Sequence, residues 1–226
     1  MLELKNIRKV FNQGKSYELV AVDEVTVSLE AKKITVLKGP SGSGKTTLLS
    51  LAGCMARPTS GRIFLGDREL SSLPERFLTE IRRTHFGFIF QQFNLVKGIS
   101  TLENVMLPAY PLGGPHSALK KHAHELLELF GIGGRASSKA EWLSGGEAQR
   151  TATARALIND PPVIIADEPT AHLDTKLSRE FMDIVGRLKE QQKTVIIASH
   201  DPLVYEAAVI DRVITMRDGK IEGLDV

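Results

Sequence analysis

One cysteine, Cys54, is all the thiol chemistry that 226 residues carry. It cannot form an internal disulfide, and a thiolate metal site needs partners it lacks, so its expected role is core packing. Long apolar runs are missing too. Residues 163–166 (VIIA) and 195–198 (VIIA) have strand length, far short of the roughly 20 residues that cross a bilayer. Charge of one sign is not in excess: the formal balance is +2, with no basic nucleic-acid footprint and no single-sign tail, so no nucleic-acid partner is expected. The opening MLELKNIRK sets charges among apolar residues at period two, which suits a strand and not a signal peptide. The chain is therefore expected to stay in the cytoplasm. No internal repeat is visible.

What is present is organised around residues 39–47, GPSGSGKTT. Glycine, four residues, then Gly-Lys-Thr is a phosphate-binding pattern, and the apolar run 34–37 before it and LLSLAG after it supply the strand and helix that the pattern requires. Small residues let backbone N–H groups converge on phosphate oxygens, and the helix that follows adds the positive end of its dipole. Gly39, Ser41, Gly42, Ser43, Gly44, Lys45, Thr46 and Thr47 are the candidate nucleotide-binding residues here. Lys45 can reach the β- and γ-phosphates, and Thr46 Oγ1 can ligate Mg²⁺. The loop does not say what happens to the nucleotide, since kinases, GTPases, helicases and pumps share it.

Around the loop, two blocks of alternating residues, Leu2-Leu4 closed by Phe11 and Val20 to Leu29, predict a β-rich N-terminal region interrupted by the polar NQGKSYE. Phe11 and Tyr17 are the aromatics available to stack on a base beside a phosphate loop. A short strand at 62–65, a helix at 74–83 and a strand at 86–90 follow, with Gln91 and Gln92 at the last strand's end. From 93 to 160 strand patterns vanish. Residues 102–107, 117–130 and 145–158 read as helices joined by Pro/Gly-rich links, a helical lobe set into an α/β core formed by 1–92 and 161–226. Leu119, Ala123, Leu126, Leu127 and Phe130 make one apolar stripe in the middle helix. Strands at 163–166 and 194–199 flank a helical stripe from Leu177 to Leu188, a rhythm that predicts a mainly parallel sheet with functional groups at its C-terminal edge. Residues 213–216 and 220–221 around Asp218-Gly219 predict a closing hairpin.

Phosphoryl hydrolysis needs charge neutralised on the β/γ oxygens, a held Mg²⁺ and an oriented water. Asp167 at a strand end suits the Mg²⁺ shell and Glu168 beside it suits the water. Gln91 carries an amide that can reach metal or water, and His200 an imidazole that can contact the γ-phosphate. In residues 143–150, LSGGEAQR, Ser144 followed three residues later by Glu147 has the form of a capping box. Gly145 and Gly146 beyond the cap leave N–H groups unscreened, a second anion site. One nucleotide loop and two phosphate-facing helix starts are reconciled if two chains meet head to tail, each offering Ser144 to Glu147 to the nucleotide held by the other.

At these residues the chain resembles the nucleotide-binding subunits of ABC transporters. Position by position, GPSGSGKTT resembles the Walker A loop, Gln91 the Q-loop glutamine and LSGGEAQR the signature. VIIADEP resembles Walker B with Glu168 as catalytic glutamate, AHLD at 171–174 the D-loop ending at Asp174, and His200 the switch histidine. The resemblance implies one ABC ATPase domain over 1–226: a P-loop NTPase, RecA-like core with a mainly parallel sheet, an N-terminal antiparallel β subdomain and an inserted helical subdomain. It implies ATP and Mg²⁺, the latter on Thr46, Gln91 and Asp167. It also implies a homodimer with ATP at the interface and a separate integral membrane permease that holds the chain on the inner face of the cell membrane. FGFIFQQFNLVKGISTLENVMLP and LAGCMARPTSGRI resemble the lipoprotein-releasing and macrolide-efflux subgroup, whose cargo is lipoprotein, peptide, drug or other envelope material. Phe11 aligns with the adenine-stacking aromatic. The alternative is a soluble, non-transport ABC ATPase of an assembly or nucleic-acid machine. Such machines often carry coiled-coil insertions, paired cassettes or a basic face, none of which is visible. The chain departs from the family at Glu147, where many relatives have Gln and where a negative charge is expected to weaken closure slightly, at His172 in the D-loop, and at Lys38 before the loop.

Overall fold

The computed structural model describes residues 1–171 and 173–225; the departure at His172 lies outside them. A six-stranded sheet forms its centre. Five of the strands run parallel: β3 (Ile34–Lys38), β6 (Phe86–Ile89), β7 (Val163–Asp167), β8 (Thr194–Ser199) and β9 (Arg212–Arg217), while β10 (Lys220–Asp225) returns antiparallel to β9. Their order across the sheet is β10-β9-β3-β8-β7-β6. Successive residues point to opposite faces of a strand, and here both faces are covered, which is why VIIAD and TVIIAS read as continuous apolar runs. Ile164, Val195, Ile197, Ile34 and Val36 pack on one side, and Ile165, Ile196, Ala198 and Leu37 on the other.

A second sheet, four-stranded and antiparallel, is built from β1 (Leu2–Phe11), β2 (Leu19–Leu29), β4 (Ser60–Leu65) and β5 (Arg68–Glu69), in the order β2-β1-β4-β5. β1 runs unbroken beyond the short Leu2-Leu4 alternation. Its inward residues are Leu2, Leu4, Ile7 and Val10, and irregularities in the pairing between Leu4 and Val10, with Asn6 at φ 50°, shift the period. The loop helix α1 (Lys45–Ala52) packs between this sheet and the central one, and α2 (Glu75–His85) packs against β6 at the edge of the same cluster. Cys54 is buried there, and burial pushes its thiol up to about 11, as a packing role requires.

The opposite face carries α3 (Thr101–Met106), α4 (His116–Leu129), α5 (Gly145–Leu157), α6 (Thr175–Glu190) and α7 (Pro202–Tyr205). The predicted stripe of α4 turns inward: Ala123, Leu126, Leu127 and Phe130 are buried and Leu119 packs at their edge. These side chains join Val105, Ala154 and the β3, β7 and β8 side chains in one continuous cluster. The helical layer thus has no core of its own; it shares one with the sheet.

Candidate functional site

Three parallel strands end side by side. β3 delivers the phosphate loop, β7 delivers Asp167 and Glu168, and β8 between them delivers His200. The loop packs tightly against its surroundings. Gly44, at φ 97°, has no room for a side chain, because a Cβ there would sit 2.4 Å from the Ala21 carbonyl oxygen. The Gly219 N–H donates to the Ser43 carbonyl at 3.1 Å, so the turn between β9 and β10 braces the loop from behind.

Lys45 is only 5% exposed. Its Nζ donates to the carbonyls of Gly39 at 2.7 Å and Pro40 at 3.0 Å, and lies 3.5 Å from Glu168 Oε1. Thr46 Oγ1 donates to Asp167 Oδ1 at 2.9 Å, uniting the two expected metal ligands across 121 residues of sequence. Burial raises the Asp167 carboxyl above the ordinary range, the Thr46 hydroxyl works against that rise, and the neighbouring Glu168 charge adds to it. Glu168 turns out of its strand with φ 45°, fixed by donation of its N–H to the Ala198 carbonyl at 2.9 Å. Its Oε2 meets His200 Nδ1 at 2.9 Å.

Phe11, residues 41–47, Gln91, Glu168 and His200 line one open cleft of about 480 Å³, together with Leu19 to Ala21 and Asp218-Gly219. Phe11 is 41% exposed at its rim; Tyr17 is more exposed and lines no part of it. The donor set fits a nucleotide phosphate with a hard divalent cation. Hydroxyl and carboxylate oxygens stand together, a buried cation lies beside them, and the buried Ser43 Oγ finds no partner among the described residues.

Ser144, Gly145, Gly146 and Glu147 do not line this cleft. The capping box is formed: the Glu147 N–H donates to Ser144 Oγ at 3.3 Å and the Ser144 N–H to Glu147 Oε2 at 2.8 Å. The free oxygen, Oε1, accepts from Arg135 Nε at 2.7 Å. Those two contacts, the backbone donor first, hold the Glu147 carboxyl down at about 2. The added charge is therefore engaged within its own chain, by the cap and by Arg135. Gly146 packs against Leu177, whose Cδ2 would stand 2.7 Å from a Cβ at that position, so a side chain there would have to push the leucine tip aside. Asp174 caps α6, accepting from the Leu177 N–H at 2.9 Å, and is likewise outside the cleft.

Several partners were not foreseeable from motif spacing. Lys38 places its Nζ 4.4 Å from the centroid of the Tyr205 ring, a cation–π contact that accounts for a lysine ahead of the loop. Gln149 Nε2 donates to the Pro169 carbonyl at 2.9 Å, tying α5 to the turn after Glu168. Arg155, at the other end of α5, donates to the Asn94 carbonyl at 2.6 Å and to the Phe93 carbonyl. Phe93 and Asn94 both have positive φ and lie just beyond Gln91 in the same loop. Polar residues along the buried side of α5 stand out in its sequence, but nothing in the spacing names their partners. One residue before Gln91, Phe90 joins Phe88, Thr79 and Arg82 of α2, Pro108 and Arg155 in lining a groove of about 340 Å³ between α2, the edge strand β6 and the helical layer.

A family model described as ABC transporter matches residues 22–171. The chain is 40% identical over 226 residues to an "Uncharacterized ABC transporter ATP-binding protein" of Thermotoga maritima, covering all of this chain and 95% of that protein. It is 42% identical over 220 residues to the macrolide export ATP-binding/permease protein MacB of Rhodopseudomonas palustris, covering 97% of this chain but only 33% of that longer protein. Among solved structures, the dimeric ABC transporter cassette MJ0796, named for a Methanocaldococcus jannaschii protein, superposes with a TM-score of 0.91 at 36% identity, over 100% of this chain and 98% of that one. A second MJ0796 structure, described as a dimeric post-hydrolysis state bound to ADP and Pi, agrees equally well. In sequence, fold and site geometry alike, this chain belongs to the ABC transporter family as an ATP-binding subunit.

Proposed function

We propose that two copies of this chain, each with ATP on its phosphate loop, close head to tail and hydrolyse the nucleotide to ADP and phosphate. The observation that carries this reading is the placement of Glu168 between Lys45 and His200, beside the Thr46–Asp167 pair. Lys45 and the loop N–H groups bind the phosphates and neutralise their charge. Mg²⁺, held by Thr46, Asp167 and Gln91, would add charge neutralisation on the β/γ oxygens. Glu168 orients a water on the γ-phosphate and takes its proton as the bond to the leaving oxygen breaks, while His200 holds the carboxylate in register. Phe11 offers its face to the base. Ser144, Gly145, Gly146 and Glu147 of the second copy complete the phosphate shell from outside, and Asp174 lies at the same seam.

Closure and reopening drive an integral membrane permease. MacB's name joins ATP-binding and permease functions, and this chain spans a third of such a protein; no helix among the described residues is long and apolar enough to cross a membrane. We assign the permease to a partner seated in the groove beside Phe90, which would hold this subunit at the cytoplasmic face of the membrane. Its cargo is of the lipoprotein, peptide or drug class. In functional terms, the nucleotide core is residues 1–92 and 161–226, and the signature-bearing lobe is 93–160.

Glu168→Gln tests the reading. Steady turnover should stop while MgATP converts the variant to a dimer in sedimentation velocity. A variant that stays monomeric in saturating MgATP would refute the two-copy site.

A further inference from the structure

Trp142 is the chain's single tryptophan, and it is 69% exposed. A tryptophan so placed is unusual, because burial of its large ring is among the strongest apolar contributions a side chain makes. The ring is not on a loose tether. It ends a short 3-10 turn, Ala140–Trp142, anchored by donation of the Ala140 N–H to the Ile99 carbonyl at 3.2 Å and of the Trp142 N–H to the Lys139 carbonyl at 3.0 Å. Gly98 donates to the Glu141 carboxylate at 3.1 Å from the other side. Lys139 Nζ lies 5.6 Å from the ring centroid.

Two residues further on stands Ser144, the cap of α5. Leu143 between them is extended, so Trp142 and Ser144 lie about 7 Å apart along the chain. Trp142 is therefore a near neighbour of any surface that approaches the Ser144 cap from outside. Within its own chain, Trp142 lines neither the nucleotide cleft nor the groove beside Phe90.

We infer that Trp142 is a contact residue for a second copy of this chain, packing on the surface that borders the partner's nucleotide cleft and becoming buried only when the two copies close. This rests on the two-copy reading above. An aromatic carried on an anchored turn suits such a contact, because tryptophan has only two side-chain angles to fix and is enriched among the few residues that dominate interface energetics.

The experiment uses Trp142 as its own reporter in the Glu168→Gln protein. Saturating MgATP should shift its emission to the blue and protect it from acrylamide, with an amplitude that rises with protein concentration at fixed nucleotide. Ser144→Arg, added to the same protein, should leave the emission as in the nucleotide-free monomer. Trp142→Ala should weaken the dimer by about tenfold or more, the scale of an interface anchor, with monomer affinity for nucleotide unchanged, and Trp142→Phe should recover most of the loss. A dimer seen by sedimentation in which Trp142 stays as open to acrylamide as in the monomer overturns this inference alone. Failure to form any dimer overturns it together with the two-copy reading.

Discussion

Glu168 Oε2 and His200 Nδ1 stand 2.9 Å apart, joining the end of β7 to the residue that follows β8. The carboxylate's other oxygen faces Lys45 at 3.5 Å, so its orientation is set from two sides. His200→Ala removes one of them. Turnover should fall by about 10² or more, the scale of a misplaced general base, with ATP affinity nearly unchanged because the loop and Lys45 remain. Single-turnover hydrolysis beside equilibrium nucleotide binding separates the two; an equal loss in both would move His200 from the chemistry to binding.

Phe11 sits at the rim of the cleft and Tyr17 does not line it. Phe11→Ala should weaken ATP by about 1 to 2 kcal/mol, the scale of a lost base stack, and Tyr17→Ala should do nothing. Titration with a fluorescent ATP analogue measures both, and the reverse pattern would return the role to Tyr17.

Arg155 grips the Phe93 and Asn94 carbonyls. With the guanidinium removed, Arg155→Ala leaves two carbonyls without their donors and should lower stability by about 1–3 kcal/mol. Arg155→Lys, which keeps the charge but not the two-pronged geometry, should fold and show reduced kcat with KM for ATP little altered. Urea unfolding and steady-state kinetics test the two statements. A kcat like the parent's in Arg155→Lys would reduce this residue to packing.

Glu147 supplies a pH signature. Its carboxyl is held at about 2 in the folded chain, below the usual value of about 4.3 for an unfolded glutamate. The folded state therefore binds the proton less readily, and the stabilisation from its ionised form is complete above about pH 4.3. It fades as pH falls towards 2. Glu147→Gln keeps the cap and loses the Arg135 charge pair, so it should cost under about 1 kcal/mol at neutral pH. Urea midpoints of parent and variant should converge on acidification; a gap that widened would contradict the assignment.

Much of this was legible in the sequence because the relevant residues are neighbours along the chain. The phosphate loop sits between a strand and a helix, Asp167-Glu168 end an apolar run, and Ser144 and Glu147 are three apart, so each can be recognised by local spacing. The two covered faces of the parallel sheet are visible in VIIAD and TVIIAS. β1 was less legible, since its pairing shifts break the alternation after Leu4. Long-range partners left no local trace. Nothing near Lys38 announces Tyr205, nothing near Arg155 announces Phe93, and the bond from Arg135 to Glu147 spans a loop whose closure depends on the packing of α4 and α5.

Helix α5 is fastened at three levels: through Ser144, Glu147 and Arg135 at its start, through Gln149 to Pro169 midway, and through Arg155 to the Gln91 loop near its end. Thirteen residues make a rod of about 20 Å, too short and too well hydrogen-bonded to bend appreciably. The Ser144 cap and the loop that follows Gln91 are thus tied to the two ends of one straight element, so the spacing between them is set by the length of α5.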